Sequence, residues 1–349
     1  MNPFLGIILH SIGGLAAGSF YLPYKKVRNW AWESYWLAGG FFAWIVVPWV
    51  VALLTAPELI SILAEAPVRK VVACYIFGVL WGIGGVTFGL SMRYLGMSLG
   101  YALTLGFCAA FGTIIPPILG GTIVEVVSEA SGQMTILGII VCLGGIGICG
   151  WAGMSKEKEL SEEKKTESIK EFNFKKGLWV AVFAGVMSSC MALGIDAGEP
   201  IAELAVKKGV APLWQNSPVF LFILTGGFTT NFVWCLYLNI KNRSAKDYVK
   251  TAETPLLSNY LFCALAGTTW YLQFMFYGMG TTKMGKYGFS SWTIHMAFII
   301  VFSNIWGLIL REWKGSSRKT HQKIFVGIIV LILSTVIVGL GNYIASLKP

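Results

Sequence analysis

Ten stretches of predominantly apolar residues, each close to twenty residues long, divide this 349-residue chain, and that spacing leaves few folds open to it. A hydrocarbon core about 30 Å thick is crossed by roughly 20 apolar residues in helical form. Helices are favoured there because they satisfy their own backbone groups in lipid. The stretches run approximately over 4–24, 34–54, 71–91, 95–116, 134–152, 177–195, 217–239, 257–278, 288–310 and 324–345. Charged residues make up 13% of the chain, about half the proportion in soluble domains. The expectation is an all-α integral membrane protein with ten transmembrane helices. The first apolar run has no basic region before it and no small-residue cleavage site, so it reads as a retained helix. Leu59, Ile60, Ile62 and Leu63, between Pro57 and Pro67, predict a short interfacial helix.

The basic residues set an orientation. Of the 27 Lys and Arg, twenty follow odd-numbered stretches and seven lie on the opposite side. The positive-inside bias then puts the odd-to-even loops in the cytoplasm and both termini outside. Charge clustered in loops also makes nucleic acid a poor partner and membrane lipid the natural one. The run SKEKELSEEKKTESIKE, Ser155 to Glu171, reads as a solvated linker. It separates a first five-helix repeat (1–153) from a second (176–349) across a cytoplasmic linker (154–175). Because each half crosses an odd number of times, the halves are expected to be inverted repeats. An internal match agrees: Trp81, Phe88-Gly89 and Leu95-Gly96 recur 189 positions later as Trp270, Tyr277-Gly278 and Met284-Gly285.

Chemistry concentrates in AGTTWYLQFMFYGMGTTKMGKYGFSSWTIHM, Ala266 to Met296. Trp270, Gln273 and Tyr277 follow the i, i+3, i+7 spacing of one helix face, and Ser291, Trp292 and His295 share a face on the next. Aromatic rings beside an amide suit a polyhydroxylated ligand, whose C–H faces want apolar rings and whose hydroxyls want hydrogen bonds. Trp81, Trp270, Tyr271, Gln273 and Trp292 are the candidate substrate-binding residues. His10 and His295 are imidazoles within apolar spans, where ionisable groups mark cavities and proton relays. They are the candidate proton carriers, with Asp196 in reserve. Glu199 reads as a solvated helix end, Glu33 as a partner of Lys25, Lys26 or Arg28, Lys283 and Lys286 as outer-surface residues, and Asn231 as an interhelical hydrogen bonder. Gly78, Gly82, Gly85 and Gly89 form a small-residue stripe for close helix contact, and Gly96 and Gly100 open the next helix. Seven cysteines in apolar segments read as packing residues. Three histidines without ligand spacing predict no metal. No phosphate-binding loop, nucleophile–base set or acidic metal motif is present, so neither an enzyme nor a cofactor is expected.

The blocks FYLPYKKVRNWAWESYW, FGVLWGIGGVTFGLSMRYLGMSLG, EFNFKKGL, WYLQFMFYGMG, SSWTIHMAF and GLILREW together resemble the L-rhamnose–proton symporters, within the drug/metabolite transporter superfamily. The resemblance covers nearly the whole length. It implies a ten-helix inverted-repeat fold, and uptake of L-rhamnose or a related 6-deoxyhexose with protons across a bacterial inner membrane. GIDAGEP departs from the family pattern, which carries an Asn and a Lys near the positions of Asp196 and Glu199. Two acids there change the charge of the outer vestibule. The alternatives are a transporter of another sugar or small metabolite with proton or sodium coupling, and a non-transporting membrane sugar sensor.

Overall fold

The computed structural model describes residues 2–95, 97–159, 173–249 and 254–347, and these contain helices, turns and no strand. The long helices are α1 (Pro3–Ser19), α2 (Trp32–Thr55), α3 (Val68–Leu95), α4 (Met97–Leu119) and α5 (Ala130–Lys158) in the first half. In the second half they are α6 (Phe174–Ala197), α7 (Ser217–Asn242), α8 (Leu256–Met284), α9 (Ser291–Ile309) and α10 (Arg318–Ser346). Gly96 and most of the charged linker, residues 160–172, lie outside the described residues.

Local chemistry starts several of these helices. The Asn2 side chain accepts from the Leu5 amide ahead of Pro3, Asn173 accepts from Lys176, and Ser317 accepts from Thr320. Each satisfies a donor that the first helical turn leaves unpaired. Within α2, residues Phe42–Val46 form one π-helical turn, which carries Trp44 into the core.

Among the described residues, nine stretches are long and apolar enough to cross a membrane. One of them, Leu256–Ile309, is 54 residues long. At 1.5 Å per residue a straight helix of that length would run about 80 Å, far beyond a bilayer. The chain breaks instead at Gly285 (φ 72°), in a region of φ that favours glycine, and passes through the 3₁₀ turn Gly285–Ser290. Tyr277 then touches Trp292 and His295 (ring centroids 5.6 and 5.2 Å), so α8 and α9 fold back on each other.

The principal pairings are α5 with α10, α6 with α3 and α4, α1 with α8 and α9, and α3 with α7. Close approach explains the last. A methyl group at Gly78 would collide with the Ile223 carbonyl, and one at Gly82 would meet Thr230 at 2.7 Å. Gly85 and Gly89 face open space, so only half of the expected glycine stripe serves helix contact. Large apolar side chains point outward, among them Leu54 (81% exposed), Trp179 (75%) and Leu257 (74%). In water such a surface would drive association, whereas in lipid it is the solvated face. The short helix Leu59–Glu65 buries Leu59 and Ile62 against the bundle and leaves Ile60 outside. All seven cysteines are buried and unbridged.

At one end of the bundle, long-range polar contacts tie the loops together. The Ala31 amide and the Ser34 hydroxyl both donate to Asp247 (2.8 and 2.7 Å). The Asn259 side chain accepts from the Arg28 amide (3.1 Å) and donates to the Arg28 carbonyl (2.8 Å). The Trp36 indole donates to Asn231 (3.0 Å), bridging α2 and α7. Glu33 accepts from Ser244 (2.6 Å) and Asn242 (2.9 Å), in place of the basic partners expected nearby in sequence. Lys25 reaches across to Glu312 instead, at 3.3 Å.

Candidate functional site

At the opposite end, the ends of α4, α6 and α8 and the starts of α7 and α9 stand apart around a cavity of about 530 Å³. That size falls within the roughly 300–1,000 Å³ of small-molecule sites. Its walls carry Asp196, Glu199, Gln215, Asn216, Tyr277 and Thr281. Asn216 is held in place by donating to the Gly278 carbonyl and to the Thr281 hydroxyl, both at 3.2 Å. Lys286, on the rim, pairs with Glu125 and Glu129 at 2.7 Å each, and Tyr287 also donates to Glu129 at 2.8 Å. One wall is backbone. Gly112, Pro116 and Pro117 of α4, and Gly120 just past its end, line the cavity. Pro116 and Pro117 have no amide hydrogen, so the carbonyls of Gly112 and Thr113 lack their i+4 donors.

Beside the cavity lie the two imidazoles. His10 and His295 come from α1 and α9, are completely buried, and have ring centroids 6.3 Å apart. None of their four ring nitrogens has a hydrogen-bond partner. Tyr277 sits against both rings, at 5.3 Å from His10 and 5.2 Å from His295. Trp292 packs on Tyr277 and is fixed by its indole N–H, which donates to the Cys108 carbonyl at 3.1 Å. Small residues admit the rings: a methyl at Gly280 would lie 2.7–2.9 Å from three atoms of the His10 ring. Buried polar groups are nearly always satisfied, so an unpartnered imidazole pair calls for a functional explanation.

The candidate residues therefore divide by place. Trp81 and Trp270 meet at 5.5 Å and, with Trp44 and Phe274, make an aromatic cluster outside the cavity lining. Trp292 belongs to the imidazole cluster. Gln273 is buried on α8 one turn before Tyr277, with its main-chain oxygen against Gly13 of α1. Tyr271 is buried with an unpartnered hydroxyl, and Asp196 lies in the cavity wall with Glu199. Tyr277, Asn216, Gln215 and Thr281 join the cavity wall only through the tertiary fold. Tyr277 had a signal, since it shares a face with Trp270 and Gln273 and falls in the internal match. The other three are ordinary polar residues near helix ends.

An all-helical apolar bundle with a polar cavity at one end and an ionisable pair sealed beside it defines a multi-pass membrane protein of the solute-transporting class. The chain matches the L-rhamnose-proton symport protein family over residues 2–345. It is 39% identical over 340 residues to the L-rhamnose-proton symporter of Cronobacter sakazakii, covering 97% of each chain. It is 38% identical over 340 residues to those of Yersinia pestis and Yersinia pseudotuberculosis, again covering 97% of each. The chain belongs to the L-rhamnose-proton symport protein family.

Proposed function

We propose that this protein carries L-rhamnose, or a related 6-deoxyhexose, together with protons into the cell across the bacterial inner membrane by alternating access. The family match and the names of the relatives supply the sugar and the coupling ion. The structural observation that carries the coupling is the buried, unpartnered His10–His295 pair beside the polar cavity. The sugar is received in the cavity and held over α8. Gln273 offers hydrogen bonds; Trp81, Trp270, Tyr271 and Trp292 supply the aromatic surface; Asp196 is a further acid in the wall.

Ten crossings follow if the turn at Gly285 lies at the membrane surface. The helix pairings support inverted repeats over 1–153 and 176–349. Exchanging the first five helices with the second five, in order, turns α1–α8 into α6–α3 and α1–α9 into α6–α4. It turns α3–α7 into α8–α2 and α4–α5 into α9–α10, and returns α5–α10 and α2–α7 to themselves. The distribution of Lys and Arg supports an orientation with the linker (154–175) in the cytoplasm, both termini outside and the cavity on the outer face.

Purified protein in proteoliposomes tests the reading. Labelled L-rhamnose is expected to accumulate roughly tenfold more under an inward proton gradient than after its collapse, a coupling of ordinary size. Undiminished uptake after collapse would refute proton coupling, and better competition by an unrelated sugar would refute the substrate. Gln273→Ala is expected to weaken sugar binding by about 1–2 kcal/mol, the scale of a lost buried hydrogen bond. The acids Asp196 and Glu199 favour one second reading, sodium coupling, which requires that uptake follow a sodium gradient at constant pH.

A further inference from the structure

The imidazole pair and the cavity are neighbours, but neither histidine lines the cavity. His10 and His295 are fully buried behind other side chains. The residue that belongs to both places is Tyr277. It lines the cavity together with Asp196, Glu199 and Thr281, and its ring also packs on both imidazoles within 5.3 Å. The other sides of the pair are closed by tight packing. Gly280 leaves no space for even a methyl group over His10, a methyl at Gly13 would lie 3.3 Å from the His295 ring, and the Cys108 carbonyl pins Trp292 in place.

We propose that Tyr277 is a movable partition between the cavity and the His10–His295 pair, and that sugar seated in the cavity shifts it and so admits protons to the imidazoles. Tyr277 holds its place by tilted and edge-on ring contacts, which are weak individually. A sugar can replace them, laying its C–H face on the ring and bonding the phenol oxygen. With the partition in place, water in the cavity and the ring nitrogens are separated, so protons do not leak through the empty carrier. With it displaced, the nitrogens meet water and take up a proton. By linkage, a proton held on either imidazole then favours the sugar-bound arrangement to the same degree. The carboxylates of Asp196 and Glu199 and the ammonium of Lys286 lie on the cavity side, and Tyr277 lies against the pair on that side. The partition is the ring, not the hydroxyl, so phenylalanine should preserve the seal and alanine should not.

This inference rests on the proton–sugar coupling proposed above, and two measurements separate the two ideas. In proteoliposomes under an imposed pH gradient, wild-type protein is expected to pass protons only after L-rhamnose is added. Tyr277→Ala is expected to pass them without sugar at least tenfold faster than wild type, while Tyr277→Phe stays at the wild-type level. A sugar-free leak in Tyr277→Ala no greater than in wild type overturns the partition. The second measurement uses diethyl pyrocarbonate on the full chain in detergent, read by mass spectrometry of the His10 and His295 peptides. His321, in the first turn of α10 and partly exposed, serves as the internal reference. Modification of the buried pair is expected to rise at least tenfold with L-rhamnose in wild-type protein, and without sugar in Tyr277→Ala. Where wild-type protein does move protons with L-rhamnose, modification rates unaltered by the sugar overturn the proposal even if the alanine variant does not fold. If wild-type protein shows no rhamnose-driven proton movement, the transport reading fails. The partition then stands or falls on whether Tyr277→Ala, compared with Tyr277→Phe, exposes the two histidines to the reagent.

Discussion

The two ends of the bundle are held in opposite ways. Where α1 leads into α2 and α7 into α8, residues some two hundred positions apart are joined by short, partly buried hydrogen bonds: Ser34 and Ala31 to Asp247, Arg28 to Asn259, Trp36 to Asn231. Around the cavity the helix ends stand apart; Asn216 joins α7 to α8, and the remaining ties include ion pairs. Lys286 bridges Glu125 and Glu129 on the rim, and away from the cavity lining Lys208 meets Glu65 at 2.8 Å. A hydrogen bond to a charged acceptor contributes about 1.5–3 kcal/mol, whereas an exposed ion pair contributes about 0–1 kcal/mol. One end is thus shut by specific geometry, and the other is open with contacts that re-form readily. For a carrier that must open each end in turn, the costly event in leaving this conformation is parting the tied end.

Breaking that end should have the largest effect. Asp247→Ala removes the acceptor of two such bonds, worth about 3 kcal/mol in total at the low end of that range, or roughly a hundredfold change in the balance between the two ends. The seven native cysteines are buried, so a cysteine at Thr281 in the cavity reports the balance through an impermeant maleimide. Its labelling is expected to fall severalfold when Asp247→Ala is added. Unchanged labelling would mean that something else keeps the cavity open.

A smaller effect is expected from pH. Glu159 accepts from the Ser317 amide and from the hydroxyls of Ser317 and Thr320 (2.7 Å each), and these bonds hold its carboxyl below the usual glutamate range. A depressed folded-state pKa stabilises above the unfolded value, about 4.3, and that contribution is lost as pH falls through the folded value. Wild-type protein should therefore melt above Glu159→Gln at pH 7, with the gap closing below about pH 4. A gap that persists at that acidity would show that the carboxylate charge is not what matters.

The smallest effect is expected from Lys25→Met. Lys25 and Glu312 are 3.3 Å apart and half exposed, so the stability change should stay below about 0.5 kcal/mol. A loss above about 1 kcal/mol by chemical denaturation would place this pair with the buried ties and blur the contrast between the ends.

Much of the fold was legible in the chain because lipid imposes a length on each apolar stretch, and the α8–α9 break shows how that rule works. Hydropathy alone runs through Leu256–Ile309 as one stretch, while Gly285 and the lysines around it mark the turn. Partners distant in sequence were not legible. Glu33 stands five to eight positions from Lys25, Lys26 and Arg28, yet its hydrogen bonds come from Asn242 and Ser244, which only the tertiary fold brings near. The site divides in the same way. A histidine inside an apolar span is conspicuous because burying it is costly. Tyr277 has no such mark, being one aromatic among many, and its place between His10, His295 and the cavity arises from three helices meeting. Asn216 and Thr281 were equally silent, since polar residues near helix ends are commonplace.

The paired prolines of α4 carry a consequence for mutagenesis. Alanine substitution of polar residues removes side chains and leaves the main chain intact, so the Gly112 carbonyl that Pro116 strands in this wall would survive a scan confined to polar side chains unnoticed. It would be silenced by a gain instead. Pro116→Ala supplies the missing amide hydrogen, lets the helix close its own bond with Gly112, and withdraws an acceptor from the ligand without deleting any polar atom.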